Sequence, residues 1–411
     1  MQITNIWDRL LSFAKGIKLD SISIGQAQFK FSSSEEHTSA FTQIRERVHS
    51  PKDKTYDVFV LSAHNVDEVT VVDRIEADHE CEALENTLRV SGGSGANTAY
   101  VLTTLGAHVG ISGILGEDSD GLKLRGEFAD IGVDTRMILT SRELPTGRTT
   151  TLVERSGNRL IVVFPGINNR FAGLVNEDIL FEKAHSSRIV HLSSFVGLQE
   201  RLLQQRLVGR IGLKSVVSLT PGAIYARQGL DRLETLLRHV DLMFVYREQL
   251  AQLVENSSAS TLLHGNRTVN LLESFFAWRK RKNINTPVVV VVKDPEERRS
   301  GTVNERYLSV GVGGPTLEHY IAPQQLPQDV RLQVVDTTGA GDAVAAGFLY
   351  GLLNAASLEA CIDFAFLMAA FASTELGPRT AFKSSKDIAL LSDVQQKLIA
   401  PVSSISNDSN P

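Results

Sequence analysis

The sequence predicts an α/β protein of three layers, α/β/α, in which helices cover both faces of a central, mainly parallel sheet. Short apolar segments rich in β-branched residues alternate with longer helical segments along most of the chain, and this alternation is typical of βαβ units. Several strand-like segments are apolar throughout, most clearly residues 287–293 with their run of valines. Such segments are typical of strands that are buried on both faces.

Composition and charge exclude several classes of protein. The 411 residues carry a formal net charge of −5, without the basic excess that is typical of nucleic-acid binding. No apolar stretch approaches the roughly 18 residues of a membrane-spanning helix. The two cysteines, Cys81 and Cys361, cannot form a disulfide framework and fit a reducing compartment. We therefore expect a cytoplasmic protein whose partners include neither nucleic acid nor membrane.

Three regions are predicted along the chain. Residues 1–53 form an N-terminal extension that is partly disordered, with a short helix predicted at 1–17. This extension is either a loosely ordered arm or an arm used for packing or oligomerisation. Residues 54–398 form the main domain. The tail, 399–411, is rich in Ser and Asn, a composition that predicts disorder.

The first half of the main domain mixes strands and helices. A Gly-rich segment at 91–97 precedes a helix, Gly106 follows that helix as a stop signal, and Gly132 closes the next one. Residues 156–158, Ser-Gly-Asn, join two strands into a hairpin. The predicted helices are 98–105 and 121–131, and the predicted strands are 56–63, 69–75, 87–90, 109–114, 149–154 and 159–164. The early strand-rich stretch is expected to form a small added sheet.

The second half repeats a strand-helix unit. Predicted helices at 199–211, 230–237 and 271–281 alternate with predicted strands at 189–192, 216–219, 242–245 and 287–293. This order predicts parallel strands joined by crossover helices. A further apolar segment, 361–372, carries Asp363 and is predicted to be a buried helix.

The segment from Asp336 to Asp342, DTTGAGD, carries the clearest chemical signal. A Gly-rich loop runs directly into a helix of small apolar residues. The first N–H groups of a helix have no partner within it and lie at its positive end. Glycines allow this backbone to approach an anion closely, so the loop suits a phosphate. Asp342 at the helix start could accept a proton from an attacking hydroxyl, or it could simply cap the helix.

The wider pattern resembles the ribokinase-like (pfkB) carbohydrate kinase family. DTTGAGD is similar to the C-terminal signature of that family, and GGSGAN at 92–97, with the Leu-Gly and Gly-x-Asp-x-x-Gly that follow it, is similar to the first signature. The segment 65–67, Asn-Val-Asp, falls where the family carries Asn-x-Asp for sugar hydroxyls. Segments 145–147 and 164–168 also fit. The resemblance covers approximately residues 56–385, in the order of the family.

The resemblance implies a ribokinase-like fold with a small β lid over the substrate, formed by strands within about 68–91 and 145–165 and used for homodimers in the family. Asp342 resembles the catalytic base. The positions that resemble the anion hole for the γ-phosphate of ATP are Gly339, Ala340 and Gly341. The positions that align with sugar-binding residues are Asn65, Asp67, Gly92, Gly93 and Asn97. Their chemistry agrees, because a carboxylate and two amides can bracket neighbouring hydroxyls. ATP and Mg²⁺ are the implied cofactors.

Two segments depart from the family pattern. The family usually carries Asn-x-x-Glu for magnesium-bound water and phosphate, whereas this chain reads Tyr-Arg-Glu-Gln at 246–249. Gln249 lacks the negative charge, and Glu248 could substitute as a Mg²⁺ ligand in a register shifted by one. Where a glycine loop usually lines the nucleotide, Pro295 stands near the expected glycine. Lys293 is there either a phosphate contact or a solvated charge at a strand end.

The resemblance implies an ATP-dependent phosphotransferase that acts on a hydroxyl, such as a hydroxymethyl group, of a sugar. Asp336 and Thr338 fall where some relatives bind a monovalent cation, which makes K⁺ a further implied ligand of Asp336. Two alternatives stay open. The pattern GGS-x-x-NT also resembles nucleoside kinases, including adenosine kinases. The altered segment at 246–249 suggests instead a non-catalytic relative that binds a sugar or a nucleotide in a regulatory role.

Overall fold

A large and a small β-sheet organise the molecule. The computed structural model describes residues 23–24, 27–28, 39–50, 53–76, 80–154, 159–263, 265, 267–293, 308–322 and 336–382. The two-residue strands Ser23–Ile24 and Ala27–Gln28 pair with each other. The longer strands are β1 (Tyr56–Leu61), β2 (Asn65–Val72), β3 (Leu88–Gly92), β4 (Val109–Gly116), β5 (Asp134–Ser141), β6 (Gly147–Glu154), β7 (Arg159–Phe164), β8 (Ser187–Ser193), β9 (Val216–Thr220), β10 (Leu242–Tyr246), β11 (Val288–Lys293), β12 (Leu308–Gly313) and β13 (Leu317–Ile321).

Helices connect and flank these strands. They are α1 (Ser39–His49), α2 (Ser94–Thr104), α3 (Ser119–Ile131), α4 (Phe171–Leu174), α5 (Glu177–His185), α6 (Leu198–Ile211), α7 (Gly222–Ala226), α8 (Gly229–Leu237), α9 (Arg247–Glu255), α10 (Thr268–Arg281), α11 (Ala340–Leu353) and α12 (Leu358–Ala372), with 3₁₀ turns at Gly166–Arg170, Ser258–Leu262 and Thr380–Phe382. Gly132 ends α3 in the left-handed conformation, as its position in the sequence predicts. Within the described residues, no helix combines the length and apolar character needed to cross a membrane.

The large sheet has the strand order β13-β12-β11-β10-β9-β8-β1-β4-β5. The seven strands from β11 to β5 pair in parallel, whereas β12 and β13 add an antiparallel edge. The mainly parallel sheet predicted from the sequence is therefore confirmed. The carboxyl ends of the parallel strands share one edge, which is where α/β proteins bind ligands.

Strands of the large sheet are buried on both faces. Along β1, Val58 and Val60 lie in one core with α2, α11 and α12, whereas Phe59 and Leu61 lie in the other with α5, α6 and α8. This alternation follows from the two-residue period of a strand. It explains why the strands contain uninterrupted apolar residues, and it confirms the three-layer architecture.

The small sheet has the order β3-β2-β6-β7. One of its two central strands, β2, starts at Asn65, four residues earlier than the strand predicted at 69–75, so Asn65 and Asp67 lie within β2 rather than in a preceding loop. Residues two apart in a strand share a face, and both side chains therefore point to the same side. The predicted hairpin is present as the antiparallel pair β6 and β7; its turn at 156–158 lies outside the described residues.

Helix α1 packs into the main domain, so the prediction of a loosely ordered arm is wrong for this part of the extension. Phe41, Ile44 and Val48 are buried, and their spacing of three and four residues places them on one helix face. Beside these residues, Arg47 forms an ion pair with the buried Asp241 at 2.6 Å. The predicted helix at 1–17 and the tail at 399–411 lie outside the described residues, and the proposed boundary at residue 54 stays a prediction.

Three strands at the ends of the large sheet were not predicted. In β5 (DTRMILTS), polar residues interrupt the apolar run that marks the buried strands, as is common at a sheet edge. In β12, two glycines weaken the strand pattern, and β13 carries Glu, His and Tyr. The pattern that predicts central strands does not detect strands of this kind.

Candidate active site

The N-terminus of α11 forms the floor of the candidate site. Gly339 precedes the helix with φ = 78°, a left-handed conformation that favours glycine, and Pro378 packs so closely that a Cβ atom on Gly339 would overlap it. Asp336 fixes the loop, because one of its carboxylate oxygens accepts from Thr338 N and Oγ1 (2.8 Å each) and the other from Gly377 N (2.9 Å). The N–H of Ala340 donates to Thr337 O at 3.2 Å and is engaged within this turn.

Asp342 lies in the first turn of α11 and is held by two donors from α2. Ser94 Oγ donates to Asp342 Oδ1 at 2.7 Å, and Asn97 Nδ2 donates to Asp342 Oδ2 at 2.9 Å. Thr98 Oγ1 also donates to the backbone carbonyl of Asp342 at 3.3 Å. The Gly-rich segment 92–97 and the DTTGAGD segment thus meet through packed helices. Asp342 does not cap α11, because Gly339 is the N-cap residue and the helix has no side-chain cap; its carboxylate is oriented instead by the neighbouring helix α2.

The pKa of Asp342 is raised by burial of its carboxyl group. Hydrogen bonds from Asn97 and Ser94, and the positive charges of Lys293 and Arg379, act in the opposite direction without cancelling the effect. A carboxylate with a raised pKa is a better proton acceptor than an exposed aspartate. The environment therefore suits a general base.

Asp67 faces the same cleft from the small sheet. Its Oδ1 accepts from Thr149 Oγ1 at 2.6 Å, and its carboxylate lies against Gly92, where a Cβ atom would overlap it. Burial is the main cause that raises the pKa of Asp67 to about 6; the hydrogen bond from Thr149 and the charge of Arg379 oppose the rise, and the charge of Asp342 adds to it. Gly92 O also accepts from Arg379, which holds Asn97, the partner of Asp342, so these contacts bring the two carboxylates into one site.

Asn65 is oriented by a second amide. Asn168 Nδ2 donates to Asn65 Oδ1 at 3.1 Å and to His64 O at 2.9 Å, while Asn168 Oδ1 accepts from His64 N at 3.0 Å. With the oxygen of Asn65 engaged, its NH₂ group is the end that can donate to a ligand. Gly93 approaches the carbonyl of Ala63 too closely for a Cβ atom, which brings the start of α2 against β2.

Arg379 is a site residue that the sequence analysis missed. It is buried, donates from Nε to Asn97 Oδ1 at 2.9 Å and from Nη2 to Gly92 O at 3.1 Å, and pairs with Glu127 at 3.4 Å. Because its guanidinium engages the oxygen of Asn97, the amide of Asn97 must turn its NH₂ group toward Asp342. The role of Ser94 as a hydrogen-bond donor to Asp342 was also missed, although Ser94 lies inside the GGSGAN segment.

Lys293 ends β11 and is buried, with an exposed fraction of 3%. The alternative of a solvated charge at a strand end is therefore wrong. Its Nζ lies 4.1 Å from the centroid of the Tyr246 ring and so close to Gly341 that a Cβ atom there would overlap it. The side chain points at the first turn of α11, where an anion would bind.

In the segment 246–249, the acidic residue, Glu248, does not point toward Lys293 and the first turn of α11. Gln249 Oε1 accepts from Tyr246 N at 3.1 Å and so caps α9, whereas the side chain of Glu248 is 52% exposed and lies 3.8 Å from Arg247. Among the described residues, no group of three or more His, Cys, Asp and Glu side chains could hold a metal ion. The assignment of Mg²⁺ to Glu248 stays a prediction.

The structure thus gathers most of the predicted site residues where α2, α11 and the small sheet meet. Asp342 and the 339–341 backbone come from α11, and the small sheet and α2 supply Asn65, Asp67, Gly92, Gly93 and Asn97. Lys293 closes one side. Asp336 lies in the loop before α11 with both carboxylate oxygens engaged by backbone or hydroxyl donors, so K⁺ at this position also stays a prediction.

Comparisons with known proteins identify relatives in sequence and in fold. An uncharacterized sugar kinase from Archaeoglobus fulgidus is 28% identical over 289 residues, which are 70% of this chain and 99% of that protein. The structure of ribokinase from Cryptococcus neoformans in complex with ADP superposes with a TM-score of 0.63 at 17% identity, over 82% of this chain and 100% of that one. Adenosine kinase from Sinorhizobium meliloti gives 0.62 at 21% identity, over 83% and 99% of the two chains.

These two structures establish the shared fold. The sequence itself establishes the family, because residues 57–290 and 324–385 match the profile of the pfkB family carbohydrate kinases. The matched residues cover well over half of the chain and contain the loop of Asp342, the segment of Asn97 and the strand of Asp67. The chain therefore belongs to the pfkB family of carbohydrate kinases.

Proposed function

We propose that this protein transfers the γ-phosphoryl group of ATP to a hydroxyl of a sugar, at a hydroxymethyl group. The family and its relatives support a sugar or nucleoside kinase at the coarser level. The observation that carries the finer proposal is the pair formed by the oriented carboxylate of Asp342 and the N-terminus of α11. A base beside an anion-binding backbone is the arrangement that phosphoryl transfer to an alcohol requires.

The reaction follows from these positions. Asp342 accepts the proton of the acceptor hydroxyl as the oxygen forms a bond to the γ-phosphorus, and the bond from that phosphorus to the β-phosphate oxygen breaks, which releases ADP. The backbone at Gly339 and Gly341 and the dipole of α11 stabilise the negative charge on the phosphoryl oxygens, whereas the N–H of Ala340 stays engaged with Thr337 O. Ser94 and Asn97 keep the carboxylate of Asp342 aimed at the acceptor.

The described residues fit the phosphates of ATP, because a buried ammonium and a glycine backbone converge where these phosphates would bind. The segment 246–249 brings no buried carboxylate to these phosphates, since Gln249 is neutral and Glu248 is exposed, and Mg²⁺ at Glu248 rests on the resemblance alone. Mg²⁺ neutralises nucleotide phosphates when it accompanies them, and we propose it in that role only. K⁺ at Asp336 is proposed on the resemblance alone, and exchange of KCl for choline chloride in an activity assay tests it.

A sugar is favoured by the side chains at the acceptor end. Asp67 presents a carboxylate and Asn65 an NH₂ group from the same face of β2, so together they can accept from and donate to neighbouring hydroxyls. A nucleoside would present its ribose to the same groups, and the similarity to an adenosine kinase supports that alternative. The departure at 246–249 supports the second alternative, a non-catalytic regulatory protein that binds a sugar or a nucleotide.

The direct test is mass spectrometry of reaction products. Purified protein is incubated with ATP, Mg²⁺ and a pooled panel of sugars and nucleosides, and the same mixture with ADP in place of ATP is the control. We expect a phosphorylated sugar that forms only with ATP. A phosphorylated nucleoside alone would establish the nucleoside alternative. Ligand binding by thermal shift without any product would contradict catalysis and favour the regulatory alternative.

A further inference from the structure

Lys293 carries a buried positive charge that receives no hydrogen-bond acceptor from the part of the chain that the structure describes. Its Nζ atom is buried and makes no hydrogen bond to any described residue, and the Tyr246 ring is a weak partner in comparison with an anion. Burial of an ammonium group without an acceptor is costly. A chain that retains such a group gains when a ligand supplies the missing negative charge.

The surroundings indicate which ligand. Tyr246 and Lys293 pair across β10 and β11 at the carboxyl ends of neighbouring parallel strands, the edge where α/β proteins bind ligands. The ammonium lies against Gly341, in the first turn of the 14-residue helix α11. The positive end of that helix and the ammonium therefore face the same point. The charge of Lys293 also reaches the carboxylate of Asp342.

We propose that Lys293 binds the phosphoryl group in transfer. Its ammonium supplies the positive charge that a Mg²⁺ ion would bring if the segment 246–249 held one. This inference rests on the proposed kinase function. An ammonium beside the γ-phosphorus stabilises the charge on its equatorial oxygens during transfer. Tyr246, in place of the Asn of the family, contributes the aromatic face that holds the amine there.

Nucleotide binding tests this proposal without turnover. Isothermal titration calorimetry on the full chain, with Mg²⁺ present, compares ADP with the β,γ-imido analogue of ATP for the wild type and Lys293→Met. Only the analogue carries the third phosphate. We expect Lys293→Met to weaken binding of the analogue by about tenfold or more, as for the loss of a charge-assisted hydrogen bond, and to change ADP affinity by less than about threefold.

The matched control is Lys280→Met, which removes an exposed lysine on α10 and should leave both affinities unchanged. The melting temperature separates this role from a purely structural role of Lys293, because loss of a structural residue would lower it. Without ligand, Lys293→Met should melt at the same temperature as the wild type or higher, because the costly buried charge is gone. Lys293→Gln, which is neutral but polar, should show the same discrimination between the nucleotides.

Three results would overturn the proposal: equal loss of affinity for both nucleotides, no loss for the analogue, or a lower melting temperature for both variants. A wild type that binds neither nucleotide would overturn it as well. Failure of the kinase function has a different signature. In that case, the analogue would still bind more tightly to the wild type than to Lys293→Met, but no acceptor would become phosphorylated.

Discussion

Asn97 joins the candidate base to a buried guanidinium: its Nδ2 donates to Asp342 Oδ2 at 2.9 Å while its Oδ1 accepts from Arg379 Nε at 2.9 Å. An amide that is held at its oxygen offers only its NH₂ end to a neighbour. The orientation of the carboxylate thus depends on a residue 282 positions away along the chain from Asn97. Arg379 is in this sense a positioning residue, since its effect on Asp342 passes through Asn97.

Loss of the Asn97 donor should change the pH profile as well as the rate. The hydrogen bond from Asn97 lowers the pKa of Asp342, so Asn97→Ala should raise that pKa and move the acidic limb of kcat toward higher pH. We expect kcat at pH 7 to fall at least about tenfold. Ser94→Ala removes the other donor and should shift the limb in the same direction. A lower rate with an unmoved limb would contradict this role.

Asp67 should make stability depend on pH. Its pKa is raised to about 6 in the folded protein from an ordinary 3.8, so between these values the folded state binds more protons than the unfolded state. Stability contributed by Asp67 therefore falls as pH rises through this window. Asp67→Asn should raise the free energy of unfolding by about 3 kcal/mol at pH 7.5 and by much less at pH 4. Urea unfolding at both pH values measures it, and a destabilised variant at pH 7.5 would contradict the expectation.

The ion pair of α1 should be worth far more than a surface pair. Arg47 neutralises Asp241, whose side chain is 3% exposed. Arg47→Met leaves that carboxylate buried without its cation, and we expect the free energy of unfolding to fall by about 3 kcal/mol. The matched control is Arg142→Met, because Arg142 pairs with Glu117 while 88% exposed, and its loss should cost under about 1 kcal/mol. Equal effects in denaturant titrations would refute the structural role of α1.

The homodimer implied by the resemblance has a candidate surface in β7. Leu160, Ile161, Val162, Val163 and Phe164 are consecutive and all exposed, and β7 is an edge strand of the small sheet. Unpaired apolar edges are suited to association. Val162→Lys should therefore yield a monomer in size-exclusion chromatography with light scattering, whereas Leu213→Lys, at an exposed leucine elsewhere, should not. A monomeric wild type would exclude the dimer.

Local patterns in the sequence were enough to predict part of this structure. The apolar runs of β1 and β11 predict buried parallel strands, because a strand that is buried on both faces needs apolar side chains at successive positions. Asp342 and Asn97 belong to short Gly-rich segments whose chemistry can be recognised locally. Arg379, in contrast, follows α12 in a segment with no distinctive pattern, and only tertiary packing brings it to Gly92 and Asn97.

Lys293 and α1 illustrate the same limit. A lysine at the end of a strand is usually solvated, and only the position of Tyr246 and the first turn of α11 shows that this one is buried. Helix α1 carries few apolar residues, too few for the sequence to predict that it packs on the domain. The structure shows this packing, because Phe41 contacts Phe348 with ring centroids 6.5 Å apart. Both features are determined by contacts with residues far away in the sequence, which the local sequence around Lys293 or α1 does not reveal.

The most direct test of the account is the turnover of Asp342→Asn on the acceptor identified by mass spectrometry. Asn keeps the size of the side chain but cannot accept the proton of the hydroxyl, whereas Asp130→Asn changes an exposed aspartate on α3 as a control. We predict that kcat falls at least about a hundredfold in Asp342→Asn, that Asp130→Asn is unaffected, and that both variants bind the imido analogue. A kcat for Asp342→Asn within about threefold of the wild type would contradict the assignment of Asp342 as the base.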